Sequence, residues 1–153
     1  MKKILIAVDD TKGSEKAFSV GGYFCSCIRP ENIVLLYVEK FEGRSLMAEM
    51  LGDAEMSTLT DVLRGSEYQD ALDKKAQALL DHYKESLEAK GLTGIKTLIK
   101  TGHPAEEILK AIREENAEMI VIGSRGKRTP HLFMGSVSRE VVDRSEVPVL
   151  LVK

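Results

Sequence analysis

One stretch of the chain gathers glycines, hydroxyls and basic side chains: Gly123-Ser124-Arg125-Gly126-Lys127-Arg128-Thr129-Pro130, then His131 to Met134, then Gly135-Ser136-Val137-Ser138. Those residue types in that order suit an anion. Glycines let the backbone approach a ligand closely. A helix starting at Ser136 would offer unpaired N–H groups and a partial positive charge to phosphate. Ser136 and Ser138 have hydroxyls to donate, and Arg125, Lys127 and Arg128 supply charge. The competing reading is a glycine-rich turn in which Ser136 only caps the last helix. The stretch is not a P-loop, which needs Gly-Lys-Ser or Gly-Lys-Thr after a Gly-x4 spacing. A second candidate is Asp9, in the acidic run Asp9-Asp10-Thr11-Lys12-Gly13. A carboxylate there could accept from a ribose hydroxyl or an adenine amino group, or help hold Mg²⁺. Its competing role is helix capping by Asp9, Asp10 or Thr11. The run lacks the glycine trio of a Rossmann dinucleotide fingerprint.

These groups need elements to hold them. Five apolar runs, Ile4 to Val8, Ile33 to Val38, Ile95 to Ile99, Met119 to Ile122 and Val147 to Val152, read as strands covered on both faces. Between them, Ser14 to Cys27 predicts a helix, and Leu72, Ala76, Leu79, Leu80, Tyr83 and Leu87 mark a second, stopping at Gly91. Pro104, Glu106 and Glu107 open a third helix with Ile108, Leu109 and Ile112 on one face. A fourth is expected from Ser136, with Val137, Val141 and Val142 inward, ending before Pro148. Alternating strands and helices imply an α/β fold with a mostly parallel open sheet, helices on both faces and right-handed crossovers. Such sheets bind ligands beyond the carboxyl ends of their strands, which directs attention to the loops after Val8, Val38 and Ile122. Asp9 and the glycine loop should therefore meet in one crevice. The connection from Phe41 to Ser66, with Met47, Met50, Met56, Leu59, Val62 and Leu63, is longer than such loops require and is expected to hold a short, partly ordered helix.

The chain has 153 residues, 43% hydrophobic and 30% charged, with a formal net charge of −2, so one domain with a full core is expected. That balance gives no nucleic-acid footprint. The opening Met-Lys-Lys and its five apolar residues run into Asp9 too soon for a secretory leader, and no apolar stretch is long enough for a membrane span. A cytoplasmic protein is the expectation, with no nucleic-acid or membrane partner. Cys25 and Cys27, two apart on a helix, point to different faces and read as separate thiols.

Together the motifs Ile4 to Asp9, Ser14-Glu15-Lys16-Ala17, Leu36-Tyr37-Val38, Gly102-His103-Pro104-Ala105-Glu106-Glu107-Ile108, Ile120 to Gly126, Gly135 to Ser138 and Val147 to Val152 resemble the universal stress protein family. The resemblance covers the chain apart from the 41–66 insertion. It implies an adenine nucleotide alpha hydrolase-like sheet of order 3-2-1-4-5 and a homodimer in which the strands Val147 to Val152 pair antiparallel. It also implies a division into members that bind ATP and members that do not, the binders carrying Gly-x2-Gly-x9-Gly followed by Ser or Thr. Carried over, adenine and ribose would meet Ala7, Val8, Asp9 and Val38. The phosphates would lie against Gly123, Gly126, Gly135, Ser136, Val137 and Ser138, with Ile122 and Arg125 alongside. Here eight residues, Lys127 to Met134, replace the nine of the pattern and include Pro130. Loss of one residue from a surface loop is absorbed when its two ends stay in place.

Two functions follow from this reading. The first is a regulatory homodimer that binds ATP, with or without Mg²⁺, hydrolyses it slowly at most and presents its state to a protein partner. The second is a nucleotide-free interaction module acting through its dimer surface and the methionine-rich insertion. An adenylating or electron-transfer enzyme would need motifs that are missing, and His82, His103 and His131 read as surface or capping residues and not as a catalytic base. Gly123→Val is expected to crowd a phosphate and weaken binding while leaving the fold intact.

Overall fold

Successive residues of the central strands point into two different cores, the expected result of continuous apolar runs covered on both sides. The computed structural model describes residues 1–40, 58, 67–125 and 134–153. The elements are β1 (Lys3–Val8), α1 (Lys12–Ile28), β2 (Asn32–Glu39), α2 (Glu67–Glu88), β3 (Ile95–Thr101), α3 (Pro104–Glu115), β4 (Met119–Gly123), α4 (Ser136–Arg144) and β5 (Val149–Val152). Five parallel strands form a sheet in the order β3-β2-β1-β4-β5, as the resemblance implied. Apart from Thr58, the insertion Phe41 to Ser66, with its expected extra helix, lies outside the described residues.

Ile4, Ile6, Val8, Ile33, Leu35 and Val121 pack with Ala17, Phe18, Leu80, Tyr83 and Leu87 under α1 and α2. Leu5, Ala7, Val34, Leu36, Ile120 and Ile122 pack with Ala105, Ile108, Leu109, Ile112 and Val141 under α3 and α4. Burying each of these aliphatic side chains is worth about 1.5–3 kcal/mol.

Element ends follow local chemistry. α1 starts two residues before Ser14 because Thr11 caps it, its hydroxyl accepting the Ser14 N–H at 3.2 Å. After α2, Gly91 at φ 75° carries the chain out of the helix, with Gly91 N–H bonded to Glu88 O at 2.9 Å and Leu92 N–H to Leu87 O at 3.2 Å. β5 starts at Val149 and not at Val147, because Pro148 has no N–H for the ladder; its carbonyl still accepts from Ile120 at 3.0 Å. The edge strand β3 is tied to α3 by ion pairs from Lys96 to Glu115 at 2.5 Å and from Lys100 to Glu114. The Lys96 hydrogen bond holds the Glu115 carboxyl below the usual carboxylate range. Among the described residues, no helix is long and apolar enough to cross a membrane.

Candidate functional site

Two strand-to-helix turns meet at the carboxyl end of the sheet. In the first, Asp9 braces the start of α1. The Thr11 N–H and hydroxyl both donate to Asp9 Oδ1, at 2.8 and 2.5 Å, while the Asp9 N–H donates to Ser14 Oγ at 2.7 Å. The capping reading is thus correct for Thr11, with Asp9 as its support. Asp9 is half-buried, and no described residue donates to its Oδ2. Asp10 pairs with Lys75 of α2 at 3.1 Å. Tyr83, also from α2, stacks on Phe18 at 4.1 Å, and burial, then the Glu15 and Asp9 carboxylates, push its hydroxyl above the ordinary tyrosine range.

The second turn leaves β4 through Gly123, Ser124 and Arg125 and returns at Met134. Ser124 donates its N–H to Val152 O at 2.7 Å and accepts the Gly135 N–H at 2.7 Å, so the two ends of the glycine loop are stitched together. Ser138 adds to the stitch, its hydroxyl lying 3.0 Å from both Ser124 O and Gly135 O. This local tie holds Gly135 beside Ser124. Gly126 and the rest of the loop through Phe133 lie outside the described residues.

The two turns touch through glycine. A β-carbon on Gly123 would stand 2.7 Å from Gly13 O and 2.9 Å from Gly13 C, and one on Gly13 would collide with Arg125 O. The turn that Asp9 braces and the described start of the glycine loop are thereby in contact. The same contact corrects the expectation for Gly123→Val, because the space that valine would need is occupied by backbone of the β1–α1 turn.

The remaining candidates sort by exposure. Ala7, Val38 and Ile122 pack on the α3 and α4 side, and Val8 on the α1 and α2 side. Buried Ala7, Val8 and Ile122 offer a ligand backbone more than side chain; Val38, Gly123 and Val137 are half-buried; Ser136 and Arg125 are exposed. Ser138 is 3% exposed, and its hydroxyl hydrogen is turned toward carbonyl groups, so it positions the loop in place of donating to phosphate. Sequence reasoning missed Gly13, Ser14 and Lys75; of these, Gly13 was signalled by a lone glycine four residues after the strand-end aspartate.

The helix N-termini at this end differ. α1 is capped by Thr11 and has Glu15 in its first turn, and α3 has Glu106 and Glu107 there. α4 has glycine at its cap position, no side-chain cap and no acidic residue in its first turn. Among the described residues no three His, Cys, Asp or Glu side chains are grouped to hold a metal ion.

The model of the universal stress protein family matches residues 1–153. The chain belongs to the universal stress protein family. It is 30% identical over 156 residues to universal stress protein MJ0577 of Methanocaldococcus jannaschii, covering 99% of this chain and 94% of that protein. The fold aligns with universal stress protein UspA from Lactobacillus plantarum at a TM-score of 0.79, with 22% identity over 99% of this chain and 97% of that one. It also aligns, at 0.63 and 21% identity, with an Arabidopsis thaliana universal stress protein solved with AMP bound, covering 100% of this chain and 92% of that one. Among the described residues of this universal stress protein, the start of α4 has neither a side-chain cap nor an acidic residue to offset its dipole.

Proposed function

We propose that this universal stress protein is a regulatory homodimer of the stress response that binds an adenine nucleotide, ATP foremost, and hydrolyses it slowly at most. The observation that carries the reading is the bare N-terminus of α4, with a glycine cap and no acid in its first turn, held beside Asp9 by the Gly13–Gly123 contact. Unpaired N–H groups and the helix dipole there favour phosphate. Gly123, Gly126, Gly135, Ser136 and Val137 would line the phosphates with Arg125 alongside, and Ser138 would keep Gly135 in place. Asp9 Oδ2 remains for a ribose hydroxyl or adenine amino group, and Ala7, Val8, Val38 and Ile122 would border the base. Mg²⁺, when present, would be held mainly by the phosphates. Two copies would join through the free edge of β5. A cytoplasmic location accords with Cys25 and Cys27 as free thiols.

The test is isothermal titration of the purified protein with ATP and Mg²⁺, and with AMP, paired with analysis of nucleotide released on denaturation. Micromolar binding or released adenine nucleotide is expected. The absence of both binding heat and released nucleotide would end this reading in favour of the nucleotide-free interaction module. The observation favouring that second reading is that Asp9 Oδ1 and the Ser138 hydroxyl are both engaged inside the protein.

A further inference from the structure

At the end of the sheet opposite the two turns, α3 and α4 finish next to each other, and a groove of about 310 Å³ opens between their last turns. Its floor is apolar: Leu109 and Ile112 of α3, Ala117 at the entry to β4 and Val147 at the entry to β5. Local bonds fix both walls. Asn116, at φ 50°, turns the chain out of α3 with its N–H directed at Arg113 O and Ile112 O, and the Ala117 N–H bonds to Ile112 O at 3.0 Å. On the other wall the Ser145 hydroxyl donates to Val147 O at 2.8 Å, and the Ser145 N–H bonds to Val141 O at 2.9 Å. The groove is thus formed before anything enters it, so a ligand need not order it. Its volume lies at the small end of the roughly 300–1,000 Å³ typical of ligand sites.

The rim is charged. Helix C-termini attract cations, and each of these helices carries an arginine in its last turn, Arg113 and Arg144. Arg144 is engaged by Glu140, one turn back on α4. Arg113 on one wall and Glu146 on the other enter no ion pair among the described residues. They line one concavity without meeting each other.

A cation and an anion held apart over an apolar floor complement a small molecule that carries both charges and an aliphatic body. A purely anionic ligand would bring its charge against Glu146, and a purely cationic one would bring its charge against Arg113. A sugar would leave the floor without an apolar partner.

We propose that this groove binds a free amino acid with an aliphatic side chain. Its carboxylate meets Arg113, with the Asn116 amide alongside, its ammonium meets Glu146, and its side chain covers Ile112 and Val147. The groove and the bare N-terminus of α4 lie at opposite ends of that helix, so this site is distinct from the two turns and stands whether or not they hold a nucleotide. Both charges are on the exposed rim, where one ion pair is worth at most about fivefold in affinity. Millimolar binding is the expected scale.

The test is titration of the isotope-labelled protein with leucine, following the amide resonances of Asn116, Ala117 and Val147. Three further probes each lack one part of leucine: isocaproate the ammonium, isoamylamine the carboxylate, and glycine the side chain. Saturable shifts with leucine are expected, with weaker binding of all three partial probes. Arg113→Gln and Glu146→Gln, with circular dichroism to check folding, should each weaken leucine by about threefold to fivefold. Glu146→Gln should at the same time tighten isocaproate, because it removes a like charge, and a variant that merely loosened the groove would weaken both ligands. Absence of saturable shifts at these amides would overturn the proposal. Isocaproate binding as tightly as leucine, or leucine binding that neither variant weakens, would overturn it equally.

Discussion

The β1–α1 and β4–α4 turns are built alike and left in opposite states. Each runs from a strand end into a helix, and each has a buried serine in the first helical turn that reaches back to the strand end: Ser14 accepts the Asp9 N–H, and Ser138 donates to Ser124 O. The first turn then goes further, with Asp9 and Thr11 side chains accepting two of the N–H groups at the head of α1, those of Thr11 and Ser14. The second stops at a glycine cap. A closed turn can be rigid without a ligand, whereas an open one keeps its donors for something from outside. The closed turn thus serves as the wall against which the open turn is set, with Gly13 and Gly123 as the point of contact.

The largest effect should come from forcing the two turns apart. Gly123→Val puts a branched side chain where Gly13 backbone stands, and we expect about 2–3 kcal/mol of destabilisation, read as a lower midpoint in urea. A midpoint within error of wild type would show that the contact is not tight. Ser14→Ala removes the acceptor of the Asp9 N–H and should cost about 1–2 kcal/mol. Ser138→Ala should cost less, about 1 kcal/mol or below, because Ser124 O keeps the Gly135 N–H; the reverse ranking in thermal melts would break the parallel between the two serines. A comparable loss, about 1 kcal/mol, is expected for Asp9→Asn, since an amide oxygen still accepts from Thr11 but without the charge. Its ATP affinity should nevertheless fall several-fold by titration, and an unchanged affinity would take Asp9 out of the site.

The parallel sheet was legible because each strand is a short apolar run and each helix begins or ends on a recognisable residue, such as Pro104 or Gly91. Its strand order came from resemblance, since apolar runs do not say which neighbour they join. The placement of Asp9 and of the start of the glycine loop at the carboxyl ends of β1 and β4 was legible from the alternation of strands and helices. What Ser138 does was not, because a serine at a helix start looks the same whether it faces a ligand or a carbonyl. The Gly13–Gly123 contact was equally hidden: glycine spacing reports where a backbone must be approached closely, but not by what. The outward flank of α4 was misread for a related reason. Val137, Val141 and Val142 look equivalent as apolar residues, yet Val142 is turned by about 100° from Val141, so Val141 is buried while Val142 is exposed.

Cys25 lies fully buried on α1, its thiol pushed up to about 11 by that burial, while Cys27 two residues on is open to solvent. The thiolate is the reactive form, so an alkylating reagent should modify Cys27 in the native protein and reach Cys25 only when α1 lifts from the sheet. The lag between the first and second adduct in a mass spectrum is therefore a clock for the opening of that helix.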